Sequence, residues 1–211
     1  MSDKKNTNLK TYDAQAQDLA RSYNAVTTPD IIPAFTQRIA LMEACENLRA
    51  LDVGCGSGRD ASWLARQGFQ VVACDGAAEM VKAAQQENSH PNIRYMSDAA
   101  PALSKVSALQ ERYDVILLNA FIFHLDYQPP HDELSALFDV VARLCAPDAF
   151  VYTNLRYGPV PEGRVMYDIP LAQLERIAQD HGFAFEHLGR SADGLGRVDV
   201  SWDNVALRAP S

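Results

Sequence analysis

No stretch of this 211-residue chain is apolar for long enough to cross a bilayer. The longest runs, such as the one around Val115 to Leu118, fall far short of the roughly 20 residues that a spanning helix needs. The opening MSDKKNTNLK lacks the apolar segment of a secretory leader. The cytoplasm is therefore the expected address, with no membrane partner, and those first ten residues are expected to be loose. No block of Lys or Arg occurs. Nineteen basic residues face 27 acidic ones, for a net charge of −8, so the broad positive footprint of a nucleic-acid binder is missing and no nucleic-acid partner is expected. Cysteine is scarce and scattered: Cys45, Cys55, Cys74 and Cys145 form no CxxC pair and no zinc-type spacing with histidine. They read as small apolar fillers, and no metal is expected. Internal repeats and low-complexity tracts are absent too.

What is there is an ordinary globular composition, 47% hydrophobic and 22% charged, which excludes a disordered chain and suits one domain with a sizeable core. Short apolar segments alternate with longer helical ones. Strands are expected near 49–53, 69–74, 92–96, 113–119, 148–155, 183–189 and 199–208. Helices are expected over 11–24, 33–47, 58–67, 77–88, 131–145 and 170–181, with a shorter turn or helix near 100–109. Such alternation implies a mostly parallel sheet with helices on both faces. Only SADGLGR separates the last two strands, so the sheet is expected to finish in an antiparallel hairpin.

The segment LDVGCGSGRD, residues 51 to 60, follows a strand and opens a helix, the context of a nucleotide-binding turn. Gly54, Gly56 and Gly58 recur at every second position, unlike the GxGxxG of dehydrogenases, and Asp52 stands where those proteins usually have an apolar residue. A carboxylate there suits a cationic amino-acid ligand better than a pyrophosphate. The second strand ends in Asp75, nineteen positions after Gly56, a distance at which an acidic residue accepts from ribose hydroxyls. The third strand runs into Asp98, which can accept from an adenine amino group while the N–H of Ala99 meets a ring nitrogen. Any one of these aspartates can also serve as a helix N-cap. Three of them at one sheet edge, beside a glycine turn, point to a ligand.

With these residues the chain resembles a class I S-adenosylmethionine-dependent methyltransferase, of the small bacterial kind with a GSGRD-type loop, over residues 45 to 208. The resemblance implies a Rossmann-like α/β fold: a mostly parallel seven-stranded sheet, helices on both faces and a C-terminal antiparallel hairpin. A helical lid over 1–47 would precede the cofactor domain, 48–211. It implies that Asp52, Gly54 and Gly56 surround the methionine part of S-adenosylmethionine, that Asp75 with Gly76 holds the ribose, and that Asp98 with Ala99 holds the adenine. Met80 would pack near the nucleoside. Arg59 and, from the lid, Tyr23 would be able to reach the cofactor carboxylate.

In the same family the end of the fourth strand lies beside the reactive methyl. Asn119 is accordingly expected there, His124 as a general base, and Phe123 as an apolar wall of the acceptor site. Arg156 and Arg164 follow the fifth strand in a Gly/Pro-rich stretch. Two guanidinium groups beside an acidic site need an anionic partner, either a substrate group or one of Asp168, Asp193 and Asp199. The expected function is methyl transfer to a small molecule at O, N or S. A protein or RNA methyltransferase, a non-catalytic cofactor-binding module and a nicotinamide-dependent oxidoreductase are the alternatives.

Overall fold

The computed structural model describes residues 3–42 and 47–211. Four helices open the chain: α1 (Asp3–Ala14), α2 (Ala16–Asn24), α3 (Thr28–Ile31) and α4 (Pro33–Ala40). Strands and helices then alternate as β1 (Arg49–Val53), α5 (Arg59–Arg66), β2 (Gln70–Asp75), α6 (Ala78–Glu87), β3 (Ile93–Ser97), α7 (Ser104–Ser107), β4 (Tyr113–Leu118), α8 (Glu133–Leu144), β5 (Cys145–Tyr157), α9 (Leu171–Asp180), β6 (Ala184–Ala192) and β7 (Ser201–Arg208). A single 3-10 turn, Ile122–His124, follows β4.

The seven strands form one sheet in the order β3-β2-β1-β4-β5-β7-β6. Neighbours from β3 through β5 run parallel, while β7 lies antiparallel between β5 and β6. The expected α/β fold with its closing hairpin is what the chain adopts. Period-two alternation fills both faces from the same strand. In β4, Val115 and Leu117 pack with Phe35, Leu64 and Tyr152, whereas Ile116 and Leu118 pack with Leu137, Phe138 and Leu174. All four are fully buried, as a sheet covered on both sides requires.

The N-terminal region departs from the expectation in several ways. Of the first ten residues, expected to be loose, 3–10 are helical within α1, and residues 1–2 lie outside the described residues. Tertiary contacts hold this helix where propensity alone would not: the Asn8 amide donates to the Val165 carbonyl (2.9 Å) and accepts from the Val165 N–H (2.7 Å), a pairing 157 residues apart in sequence. The single helix expected over 11–24 is broken between Ala14 and Ala16. The helix expected over 33–47 ends at Ala40, and its residues 43–46, Cys45 among them, lie outside the described residues. Phe35 of α4 has no solvent exposure and packs between Trp63, Phe150 and Tyr152, so α4 belongs to the core beneath the sheet. Helices α1 and α2 lie over α6 instead, and α3 reaches the ligand edge through Thr28 and Ile31.

Elsewhere β5 starts at Cys145, directly after α8, earlier than the expected residue 148. Cys55, Cys74 and Cys145 are free and buried, and burial raises all three thiols above their ordinary range.

One backbone crossing locks the parallel part of the sheet to the hairpin. Gly158 has φ +126, and a Cβ built on it would stand 2.2 Å from the Asp199 carbonyl oxygen. Gly182 also has positive φ, +84, but a Cβ there meets nothing within 4 Å. Gly182→Ala should therefore cost only the left-handed strain, about 1–2 kcal/mol. Gly158→Ala adds a collision between backbones and should cost roughly 3 kcal/mol or more. Urea unfolding of the two variants beside the parent measures the difference, and equal losses would contradict the crossing.

Candidate functional site

The carboxyl ends of β1, β2, β4 and β5 open into one cleft. Its wall includes Gly54, Gly56, Arg59, Asp75, Gly76, Asp98, Ala99 and Asn119 from the sheet edge. Asn8, Tyr12 and Tyr23 reach it from α1 and α2, and Asp193, Arg197 and Trp202 from the hairpin.

The glycine turn wraps the end of β2. Gly54 N–H and Cys55 N–H both donate to the Cys74 carbonyl (2.8 and 3.0 Å), and Gly56 N–H turns to the Asp75 carboxylate (3.1 Å). Gly56 sits at φ +52, and a Cβ there would meet only Tyr23 and Met80 atoms at 3.7–3.8 Å. Met80 therefore lies beneath the turn, 1% exposed, and off the cleft wall. Asp75 is also held by the N–H of Ala77 (2.8 Å), and burial raises its carboxyl above the usual range despite these donors. Asp98 lies on the wall, with one oxygen, Oδ2, taking the N–H groups of Lys105 and Val106 (both 2.9 Å).

Asp52 is not on that wall. It is 2% exposed, and its Oδ2 has no hydrogen-bond partner. Burial, and next the neighbouring Asp60, push its carboxyl well above the ordinary range, which favours the neutral form. The neighbouring carboxylate that does line the cleft is Asp60, which by sequence looks like any helix-start aspartate. Asp60 accepts from Arg59 Nε and Nη2 (2.8 and 2.9 Å), from Thr28 Oγ1 (2.7 Å) and from Asn119 Nδ2 (2.9 Å). Burial opposes ionisation there, but Arg59 and the other donors outweigh it and hold the carboxyl below its ordinary value. Asn119 in turn accepts from Asn154 (2.7 Å), whose own oxygen takes the Ala120 N–H (2.7 Å). Arg59 reaches the Tyr23 carbonyl with its remaining arm (3.1 Å), so its charge is already answered within the chain.

His124 is the imidazole of the cleft. Its Nδ1 stands 3.0 Å from the Val165 carbonyl, which can only accept, and 3.3 Å from Asn8 Nδ2; the shorter carbonyl contact favours the proton on Nδ1. Nε2 is then an acceptor, and the Tyr12 phenol 3.1 Å away donates to it. Burial first, with Arg164 and Arg156 adding to it, lowers the imidazole to about 4. It is neutral at pH 7, and neither nitrogen is open to a third group. Tyr12 thus covers the Nε2 of His124, a contact that sequence spacing could not display.

Around these groups Phe121, Phe123, Leu125, Met166 and Trp202 supply apolar wall. Arg156 and Arg164 both line the cleft, and among the described residues neither makes an ion pair. Arg156 donates to the Gly158 and Pro159 carbonyls, and Arg164 stacks on the Tyr12 ring, 4.6 Å from its centroid. Arg190 and Asp203 pair across the hairpin, and Arg197 pairs with Asp193 on the cleft wall itself.

Comparison with known proteins agrees with this arrangement. Residues 50–148 match the model of a methyltransferase domain. The ubiquinone biosynthesis O-methyltransferase of Cereibacter sphaeroides is 33% identical over 100 residues, 46% of this chain and 39% of that protein. The tRNA 5-carboxymethoxyuridine methyltransferase of Escherichia coli K12 is 33% identical over 81 residues, 36% of this chain and 30% of that one. The aligned part of this chain thus spans well under half the length of the curated relatives it matches. The magnesium protoporphyrin IX methyltransferase of Synechocystis PCC 6803, crystallised with S-adenosylmethionine, superposes with a TM-score of 0.65 at 18% identity, covering 94% of this chain and 84% of that one.

The state of His124 yields a pH prediction. In the unfolded chain the imidazole takes a proton below about pH 6.5, while the folded protein holds it neutral down to about 4. The unfolded state binds more protons in that window, so stability falls as pH falls, by about 3 kcal/mol between pH 6.5 and 4. His124→Gln should flatten that part of the profile, measured by urea unfolding from pH 7.5 to 4. An unchanged profile would place His124 in solvent.

Residues 50–148 thus match a methyltransferase domain, and the whole chain, with β7 inserted antiparallel, shares its fold with a methyltransferase crystallised with S-adenosylmethionine.

Proposed function

We propose that the chain is an S-adenosylmethionine-dependent methyltransferase with a small-molecule acceptor. The observation that carries this reading is Asp75: a half-buried carboxylate at the end of β2, oriented by the Gly56 and Ala77 N–H groups and facing the cleft. Each of its oxygens keeps a lone pair beyond those bonds, which suits a pair of ribose hydroxyls. Gly76, Asp98 and Ala99 line the next stretch of wall and fit the adenine. Gly54 and Gly56 leave the turn bare of side chains where the amino-acid part would pass, with Tyr23 and Arg59 nearby. When bound, the cofactor supplies a methyl group on a sulfonium, which transfers to a nucleophile by in-line displacement.

The chain's own residues have three tasks. Asn119, fixed by Asp60 and Asn154, shapes the floor at the end of β4. Phe121, Phe123, Leu125, Met166 and Trp202 exclude water from the acceptor half. His124 can take a proton at Nε2, by way of the Tyr12 hydroxyl that already bonds to it. Helices α1 and α2 act as a cover, since Asn8, Tyr12 and Tyr23 line the cleft from that side.

The cover also supports a small acceptor, because a cleft roofed by α1 and the hairpin loop suits a compact molecule better than a folded macromolecule. The net charge of −8 works against an RNA acceptor. Among the described residues no helix is long and apolar enough to cross a membrane.

Calorimetry with S-adenosylmethionine, S-adenosylhomocysteine and a nicotinamide dinucleotide tests the cofactor. Asp75→Ala should weaken binding of the two S-adenosyl compounds by about 2–3 kcal/mol, roughly 30- to 150-fold, with the fold retained. Unchanged affinity in a folded variant, or preference for the dinucleotide, would sink the reading. Transfer of labelled methyl from the cofactor to metabolite pools, read by mass spectrometry, then identifies the acceptor.

A further inference from the structure

The acceptor half of the cleft holds more positive charge than the chain itself answers. Arg156 ends β5 in register with Trp202 and is only 9% exposed. Its Nη1 and Nη2 donate to two neutral carbonyls, Gly158 (3.2 Å) and Pro159 (2.9 Å). Arg164 has an aromatic ring beneath it and, among the described residues, no carboxylate partner. The carboxylate that the hairpin brings to this wall, Asp193, is already saturated. It takes Arg197 Nε and Nη2 (2.9 and 2.6 Å), Trp202 Nε1 (3.0 Å), and the N–H groups of Leu195 and Arg197 (3.0 and 3.1 Å).

The guanidinium groups also sense one another. Arg156 is held below its ordinary value by burial first, then by Arg197, with Arg164 adding to it. A buried cation beside two others, bonded only to carbonyls, is an unfavourable arrangement that an anion would relieve. Such an anion does not belong to the cofactor on grounds of position. The glycine turn closes β1, whereas Arg156 stands on β5, with the whole of β4 between them. The groups nearest the turn, Arg59 and Asp60, already neutralise each other.

Resting on the methyltransferase reading, we propose that the acceptor is an acid: it carries an oxyanion, a carboxylate or phosphate-type group, seated between Arg156 and Arg164. Its apolar body then lies along Phe123, Met166 and Trp202, with the methylated atom toward Asn119 and Tyr12. Fork-shaped donors of this kind bind planar oxyanions through paired hydrogen bonds, which a neutral isostere cannot match.

The test uses the full chain, with and without saturating S-adenosylhomocysteine, and two matched probe pairs: benzoate against benzamide, and phenyl phosphate against phenol. Calorimetry and Trp202 fluorescence report binding. At least one oxyanion should bind about tenfold or more tightly than its neutral partner. That preference should shrink to within about twofold in Arg156→Gln and in Arg164→Gln, while the Arg156→Lys variant retains part of it. Affinity for S-adenosylhomocysteine should stay within about twofold of the parent in all three. The carboxylate and phosphate pairs tell which oxyanion the site prefers. Equal binding of charged and neutral probes, or no binding of either oxyanion, would overturn the proposal. So would loss of S-adenosylhomocysteine affinity in the Gln variants, since the guanidinium groups would then be holding the cofactor. Failure of the parent chain to bind S-adenosylhomocysteine sinks the methyltransferase reading instead, and the oxyanion preference of the free chain is judged separately.

Discussion

The Asp60 carboxylate is the constraint on which the ligand edge is assembled. It belongs to the first turn of α5, yet its bonds reach α3 through Thr28 and the end of β4 through Asn119. Asn154 extends the same network to β5. Strands β1, β4 and β5 are neighbours in the sheet, but backbone pairing alone does not fix the side chains beyond their ends. A buried network in which every member is satisfied does so, and it tolerates little displacement. Removing Asp60 would leave Arg59 buried without its counter-charge and Asn119 without its acceptor, so the floor of the cleft would lose its reference point.

That network also divides the cleft electrically. On the glycine-turn side, Arg59 cancels Asp60, and the open carboxylates are Asp75 and Asp98. Asp52, in contrast, is buried behind the wall and driven toward its neutral form. Beyond β4 the sign reverses, with Arg156 and Arg164 facing the same space. His124 stands near these cations and stays neutral in part because of them. Two faces of opposite sign thus meet in one space, and such a field acts on a charged ligand before any close contact forms.

Much of this was legible in the sequence where the signal is local. The glycine turn, Asp75 and Asp98 are each carried by a few consecutive residues between a strand and a helix, and SADGLGR announces its own hairpin. The roles that the turn implied divided on burial, which a motif does not encode: Asp52 and Met80 have the right spacing but lie behind the wall. Asp60 was invisible because its partners, Thr28 and Asn119, lie 32 and 59 residues away. The same holds for Tyr12 on His124 and Asn8 on Val165, at separations of 112 and 157. The polar opening segment reads as loose for the same reason, since its helix depends on contacts with the far end of the chain. The early start of β5 at Cys145 was hidden because α8 hands over to the strand without a turn residue to mark the change.

The two hydrogen bonds between Asn8 and the Val165 backbone have a mechanical consequence. Helix α1 is latched to the segment that carries Arg164, and one turn further along it carries the phenol that rests on His124 and the ring beneath Arg164. Lifting α1 therefore breaks the latch, uncovers the imidazole and frees the guanidinium in a single movement.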